Sequence, residues 1–381
     1  MDRCPHFPAC GGCQLQGVPY AQQLSGKQRH IEALLGGFAP VAPILGMAEP
    51  LHYRSKVHAV FALDQQRHIV TGTYKFGSHA VVPVDACGIN DELCDAIILT
   101  IRRLVQSFHL PVYDESRRSG WLRHVLLRRG FATGQVMVVL VAVSPHFRGQ
   151  NDFIRELRRL HGEISTVVLN INDRFGPVVL GKTSKVLYGS GYIEDTLCSL
   201  RFRISPSSFY QVNPVQTEKL YRTAIEFAGL TGRETVLDAY CGIGTIGLIA
   251  STKARQVIGV ELNGEAVKDA IANAKLNGIK NAWFTAGDAG EAMVHMAREG
   301  ARPDVVLMDP PRAGSDGTFL RALLKAAPKT VVYISCCAET LARDLKTLTA
   351  GGYRVRQIQP IDMFPFTEHV ESVVKLTRES L

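Results

Sequence analysis

The sequence predicts a two-domain α/β protein. A Rossmann-like domain with a parallel sheet spans 206–381, and an α+β domain spans 1–205. Three observations carry this. The chain has 381 residues, more than one core usually organises, since domains cluster near ~100–200 residues. Beyond Ser205-Pro206, strand-like and helical runs alternate, the mark of βαβ units. Charge also divides there: residues 1–205 hold 23 Lys+Arg against 16 Asp+Glu, and 206–381 hold 20 against 19.

Composition narrows the class. Apolar residues make up 46% and charged residues 20%, a globular balance. The longest apolar run is Val136 to Val143, far short of the ~20 residues of a membrane helix. The first residues are cysteine-rich, with no apolar stretch to serve as a secretory signal. We therefore expect a soluble, cytoplasmic protein with no membrane association and no protein partner.

The N-terminal domain opens with Cys4, Cys10 and Cys13. Pro5, Pro8 and Gly11-Gly12 between them permit the turns that let thiolates converge. This spacing points to metal or cluster ligation, which normally takes four sulfurs. Cys87 and Cys94 are the nearest candidates for the fourth, and spacing does not separate zinc from iron. Tyr20 to Leu35 reads as a helix with Tyr20, Leu24, Ile31 and Leu35 on one side. Residues 52–87 read as antiparallel strands and 91–108 as a helix. Strands return over 121–204, with one helix near 152–160. Residues 101–160 carry 11 arginines against four acids. Such a local field is a footprint of nucleic-acid binding, or else a solvated helix face.

In the C-terminal domain the informative positions are strand ends, because open α/β sheets bind ligands beyond them. TVLDAY ends at Asp238, QVIGVE at Glu261, AWFTAGD at Asp288, DVVLMD at Asp309 and TVVYIS at Ser335-Cys336. Gly242, Gly244 and Gly247 make a G-x-G-x-x-G pattern, which alone fits a dinucleotide or S-adenosylmethionine. The row of carboxylates repels a pyrophosphate but suits a cationic ligand, so adenosylmethionine is the expected cofactor. In that reading Glu261 accepts from ribose hydroxyls and Asp288 lies near the adenine.

Three motifs remain. DPPR at 309–312 has Arg312 where methyltransferases acting on planar amines commonly carry an aromatic. In SCCAETLARDL, Cys336 stands at a strand end just before a helix, a position expected to lower its thiol pKa. In DMFPFTEHVES, Glu371 begins the last strand. A thiolate beside a methyl donor suits an electron-poor carbon such as carbon 5 of uracil. Cys336 would add at carbon 6, and Glu371 would remove the carbon-5 proton. The target base must leave its stack.

These residues resemble the RNA uracil-carbon-5 methyltransferases, which act on 23S ribosomal RNA or the transfer RNA T loop. The resemblance covers nearly the whole chain. It rests on the cysteine start, LRHVLLR (122–128), SFYQVN (208–213), VLDAYCGIGTIGL, DPPR, SCCAETLARD and FPFTEHVES. It implies Cys336 as nucleophile and Glu371 as proton acceptor. Donor contacts are implied at Gln211, Tyr240, Thr245, Glu261, Asp288 and Asp309. It also implies a 4Fe-4S cluster on Cys4, Cys10, Cys13 and Cys87, a feature of ribosomal-RNA members, and so 23S rRNA as partner. The N-terminal domain becomes the iron–sulfur and RNA-binding domain, and a helix at 20–36 is a candidate to pack on the catalytic domain. The chain starts almost at the first cysteine, which resembles the subgroup lacking an N-terminal β-barrel. Cys337 stands where Asn is frequent, and Phe366 where His or Gln is. The competing readings are a transfer-RNA enzyme, a non-catalytic RNA-binding assembly factor, a cytosine-carbon-5 methyltransferase and a nicotinamide oxidoreductase.

Overall fold

A computed structural model of the chain describes residues 4–174, 176, 178–300 and 302–378. It divides into two compact units. The first comprises Met1–Gly17, Pro50–Thr196 and Arg203–Ser207. The second comprises Val18–Glu49, Leu197–Phe202 and Ser208–Leu381. Helix α1 (Tyr20–Leu35) thus belongs to the second unit, although it precedes the first unit's sheet in sequence.

The first unit is built on one seven-stranded sheet. Its elements are β1 (Lys56–Leu63), β2 (Ile69–Tyr74), β3 (Val81–Pro83), α2 (Glu92–Ser107), β4 (Leu122–Arg129), β5 (Val136–Ala142), α3 (Gln150–Leu160), β6 (Ile164–Ile171) and β7 (Thr183–Tyr188). The order is β3-β2-β1-β4-β5-β6-β7. Only β5 and β6 run parallel, and α3 makes the crossover that such a pair requires. Alternation places Val57, Ala59, Phe61, Val125, Leu127, Val138 and Leu140 on one face. Ile97, Ile101, Val105, Phe153 and Leu157 of the two helices cover that face. Asp91 starts α2 by accepting from the Leu93 and Cys94 amides.

Most of the clustered arginines do structural work in this unit. Arg123 is buried and donates to the Asn172 and Arg174 carbonyls. Arg128 is buried and donates to the Pro206 carbonyl. Arg102 pairs with Asp85, Arg129 with Asp91, Arg155 with Asp152 and Arg159 with Glu156. Only part of the positive field read from the sequence is therefore unneutralised.

The hairpin β8 (Ile193–Leu197) and β9 (Leu200–Ile204) follows. The second unit then continues as α4 (Pro214–Ala228), β10 (Thr235–Ala239), α5 (Thr245–Ser251), β11 (Gln256–Glu261), α6 (Gly264–Leu276) and β12 (Ala282–Ala286). After these come α7 (Ala289–Arg298), β13 (Val305–Met308), α8 (Gly317–Ala326), β14 (Thr330–Ser335), α9 (Ala338–Ala350), β15 (Tyr353–Ile361) and β16 (Glu371–Arg378). Strand order is β12-β11-β10-β13-β14-β16-β15, parallel except for β16. This is the doubly wound arrangement expected for the domain. Its order reverses beside β10, where such sheets open a crevice for ligand.

Helix α1 departs from the sequence reading. Its buried stripe is Gln23, Lys27, Ile31 and Leu35, not one running through Tyr20 and Leu24. Polar groups occupy the inner face because they have fixed partners. Lys27 Nζ lies 2.6 Å from Asp362 and 3.1 Å from the Phe364 carbonyl. Gln23 accepts from the Phe366 amide at 2.9 Å, and Tyr20 donates to Asp362 at 2.8 Å. Among the described residues no helix is long and apolar enough to cross a membrane.

Candidate active site

The second unit's site lies along one sheet edge. The parallel strands β10 to β14 all end there, carrying Asp238, Glu261, Asp288, Asp309 and Cys336 in or just past their last residues. Antiparallel β16 starts at the same edge with Glu371. Ser335 pairs with Ser372 across β14 and β16, so Cys336 and Glu371, each one residue beyond that pair, are cross-strand neighbours.

The donor half is shaped by backbone geometry. Gly244 is left-handed at φ +80°, and a Cβ there would come within 3.0 Å of Phe284. Gly247 packs so closely that a Cβ would lie 2.6 Å from Asp238. Asp238 accepts from the Gly247 amide at 2.9 Å. Burial pushes its carboxyl up to about 8 despite that bond. Asp238 therefore braces the loop from within. Glu261 accepts from the Gly242 amide at 3.1 Å and from the Asn263 amide at 2.8 Å. Tyr240, at φ +66°, shares a hydrogen bond with Ser315 at 2.9 Å. Asp288 is exposed and caps the start of α7 through the Glu291 amide. Thr245 lies 3.4 Å from the hydroxyl of buried Tyr221, whose own pKa is raised by burial and then by Asp309. Gln211 is buried two residues before Asn213, the cap of α4. Close glycine approach, ringed by carboxylate and hydroxyl acceptors, fits a cationic nucleoside ligand.

The reacting half groups Cys336, Asp309, Glu371, Arg312 and His369. Glu371 is buried, and its pKa is raised by burial and by Asp309. Asp309 is raised by burial as well. The Cys336 thiol is pushed up to about 11, by burial first, then by Glu371 and Asp309. This corrects the expectation that the start of α9 would lower it. Burial and then the nearby carboxylates raise it, and Arg312 opposes them through its charge and a hydrogen bond to the thiol. Arg312 also lies 2.8 Å from Nε2 and 3.0 Å from Nδ1 of His369. Burial and then Arg312 lower the imidazole's pKa, so a neutral ring accepts from the guanidinium.

Arg312, His369 and Tyr221 were not named as site residues from sequence. Arg312 was legible only as an unusual residue after DPP. Its loop is held by α9: Thr340 donates to the Arg312 carbonyl, and buried Asp344 accepts from the Ser315 amide and the Tyr333 hydroxyl. Cys337 caps α9 and donates to Glu339. Phe366 is buried at φ +65°, its amide held by Gln23.

Comparison with known proteins gives the family. The family model described as tRNA (Uracil-5-)-methyltransferase matches residues 19–379. The chain belongs to that family. It is an adenosylmethionine-dependent RNA methyltransferase by class. An uncharacterized RNA methyltransferase of Oceanobacillus iheyensis is 43% identical over 374 residues, 97% of this chain and 81% of that one. Another, from Caldanaerobacter subterraneus, is 42% identical over 379 residues, 98% of this chain and 84% of that one. Among solved structures, the Pyrococcus abyssi tRNA (uracil-54, C5)-methyltransferase in complex with S-adenosyl-L-homocysteine matches with TM-score 0.83 and 27% identity. It covers 97% of this chain and 86% of that one.

The cysteines of the first unit form a separate group. Cys13 feels the charges of Cys87, Cys10 and Cys4, so the four lie near one another. Burial raises the thiols of Cys13 and Cys87. Hydrogen bonds favour their thiolates: Gln16 bonds to Cys13, and the Ile89 and Asn90 backbones bond to Cys87. Gly11, at φ +63°, turns the loop close against Phe76, whose amide donates to the Ala9 carbonyl. Cys94 instead lies fully buried in the helix–sheet core, its thiol raised by burial. It packs, and Cys87 is the neighbour of the N-terminal three. Among the described residues no group of three or more His, Cys, Asp or Glu is arranged to grip a metal ion. The chemistry of the four sulfurs fits a cluster, but their positions are not those of a closed metal site.

Proposed function

We propose that this enzyme methylates carbon 5 of a flipped-out uridine in RNA. The observation that carries this is the placing of Cys336 beside Glu371 on paired strands, next to Asp309. Cys336 Sγ bonds to carbon 6 of the uracil, which makes carbon 5 nucleophilic. Carbon 5 would take the methyl group as the donor's sulfur–methyl bond breaks, the sulfur leaving as a neutral thioether. Glu371 then removes the carbon-5 proton, the carbon–sulfur bond breaks, and the thiolate leaves. A raised carboxyl pKa suits this base, since proton acceptors work best near the operating pH. Gln211, Tyr240, Thr245, Glu261, Asp288 and Asp309 would hold S-adenosylmethionine, which supplies the methyl group when bound.

The substrate in this reading is 23S rRNA, supported by the family resemblance carried by Cys4, Cys10, Cys13 and Cys87. Those residues would hold a 4Fe-4S cluster that fixes the fold of the RNA-binding unit. Transfer RNA is the second reading, favoured by the name of the matching family and by the Pyrococcus abyssi structure. The test uses protein purified without oxygen, a labelled methyl donor, and unmodified 23S and transfer RNA transcripts. We expect label as 5-methyluridine at one 23S position. Label only in the transfer RNA T loop would overturn the substrate, and no label on either would overturn the reaction. Iron and sulfide analysis, repeated on Cys87→Ser, tests the cluster independently.

A further inference from the structure

The first unit holds a cavity of about 600 Å³ lined by β1, the β2–β3 hairpin and residues 113–116 before β4. That volume lies within the ~300–1,000 Å³ range of ligand sites. Its walls mix aromatic faces with a few polar groups. Tyr74 and Tyr113 are half-buried, and His124 is 5% exposed. Tyr74 sits 5.4 Å from His79 and 6.4 Å from His124, ring to ring. The Arg123 guanidinium stacks 5.0 Å above Tyr113. At the mouth, Glu115 is only lightly engaged. One oxygen lies 3.0 Å from exposed His79, and the other 3.4 Å from the Tyr74 hydroxyl and 4.0 Å from Arg123. His124 Nδ1 is buried with no hydrogen-bond partner.

Such walls suit a flat, polar ring. Aromatic and guanidinium planes stack on bases splayed out of single-stranded RNA. A carboxylate has two acceptor oxygens, each able to accept more than one hydrogen bond, so it selects bases that present two N–H donors side by side. Guanine does so through N1–H and its 2-amino group. Uracil offers a single N–H, and its carbonyls face a carboxylate unfavourably.

We propose that this cavity is a guanine subsite. It receives an unstacked guanosine of the RNA substrate, with Glu115 reading its Watson–Crick edge and Tyr113 stacking on its ring. The assignment to RNA rests on the proposed function; the guanine preference rests on the cavity alone.

The test uses the full chain and guanosine, inosine and uridine 5′-monophosphates at millimolar concentration, followed through the His79 and His124 imidazole proton resonances. We expect the guanosine nucleotide to shift both resonances. Inosine, lacking the 2-amino group, binds on the order of tenfold more weakly, and uridine leaves them unmoved. Glu115→Gln abolishes the difference between guanosine and inosine, and Tyr113→Ala weakens both on the order of tenfold. The overturning results are equal binding of all three nucleotides, no shift with guanosine, or unchanged discrimination in Glu115→Gln. If guanosine binds as expected but no RNA is methylated, the subsite stands and the proposed function fails. If RNA is methylated but guanosine leaves both histidines unmoved, the reverse holds.

Discussion

The nucleophile's resting state can be tested directly. Burial and the Glu371 and Asp309 carboxylates move the Cys336 thiol from 9.0 to about 11. Each pKa unit is a factor of ten, so the thiolate becomes about a hundredfold scarcer, from about 3% to about 0.03% at about pH 7.5. The assay is alkylation of ligand-free protein by iodoacetamide across pH, with the Cys336 peptide quantified by mass spectrometry. We expect Cys336 to alkylate far more slowly at neutrality than an unperturbed thiol and to accelerate up to alkaline pH. There both carboxyls are ionised. Glu371→Gln therefore lowers the midpoint, and Asp309→Asn lowers it less, following the order in which they act on the thiol. Arg312→Leu removes the one opposing charge and raises it. A midpoint at or below 9.0 in the wild type would refute the reasoning, because the start of α9 would then dominate. So would an Arg312→Leu protein that alkylates faster.

Other consequences follow from the same contacts. Glu371→Gln lets the thiol add but leaves the carbon-5 proton in place, so a denaturation-resistant protein–RNA adduct should accumulate on gels while turnover falls by ~10²-fold or more. Relative to the wild type, that variant should also gain stability as pH rises. A carboxyl raised in the folded state weakens folding as pH climbs from its unfolded value of ~4.3 through the folded one. The thermal advantage of Glu371→Gln should therefore grow from about pH 5 to about pH 8, as scanning fluorimetry will show. Lys27→Met removes one partner of a pair whose side chains are 3% and 0% exposed. Leaving Asp362 buried and unpaired costs about 3–5 kcal/mol, measurable by urea unfolding. Gly247→Ala pushes a methyl into Asp238 and costs about 1–3 kcal/mol by the same measurement, with weaker donor binding in calorimetry. A positively charged analogue of the methyl donor should speed Cys336 alkylation relative to the neutral homocysteine product, because a cation beside Asp309 acts on the thiol as Arg312 does.

Much of this architecture could be read from the sequence, because each parallel strand announces itself and ends in a chemically distinct residue. Asp238, Glu261, Asp288 and Asp309 fall at a near-regular interval, and pattern alone puts them on one edge. Pattern did not assign their work. Asp238 looks like a ligand contact in sequence, yet it is committed to the Gly247 amide. The Arg312–His369 contact joins residues 57 apart and depends on β16 running antiparallel, which no local signal encodes. Cys336 shows the limit most clearly. The rule that a helix start acidifies a thiol is local, whereas what raises this one is burial and then charges from the ends of β13 and β16. Helix α1 fails in the same way: Gln23 and Lys27 read as outward-facing until Asp362 and the Phe366 amide supply partners.

These contacts explain how a site rich in carboxylates can serve a thiolate. Burial and the neighbours of Cys336 disfavour ionising it, so a ligand-free enzyme is expected to hold a poorly reactive thiol. In the proposed mechanism the same carboxylates attract the cationic donor, and its arrival would relieve the charge that disfavours the Cys336 thiolate. Asp309 stands in both halves, raising the thiol from one side and facing the donor crevice from the other. Positive charge arriving there would also favour ionised Glu371, the form the proposed proton removal requires. The energetic cost is held locally. Raised acids and a left-handed Phe366 strain the edge of the sheet, and the buried Lys27–Asp362 pair and the Gln23 amide clamp the loop that carries Phe366 and leads into Glu371. Helix α1 therefore contributes to chemistry it does not touch. Loosening that clamp should lower kcat before it lowers donor affinity.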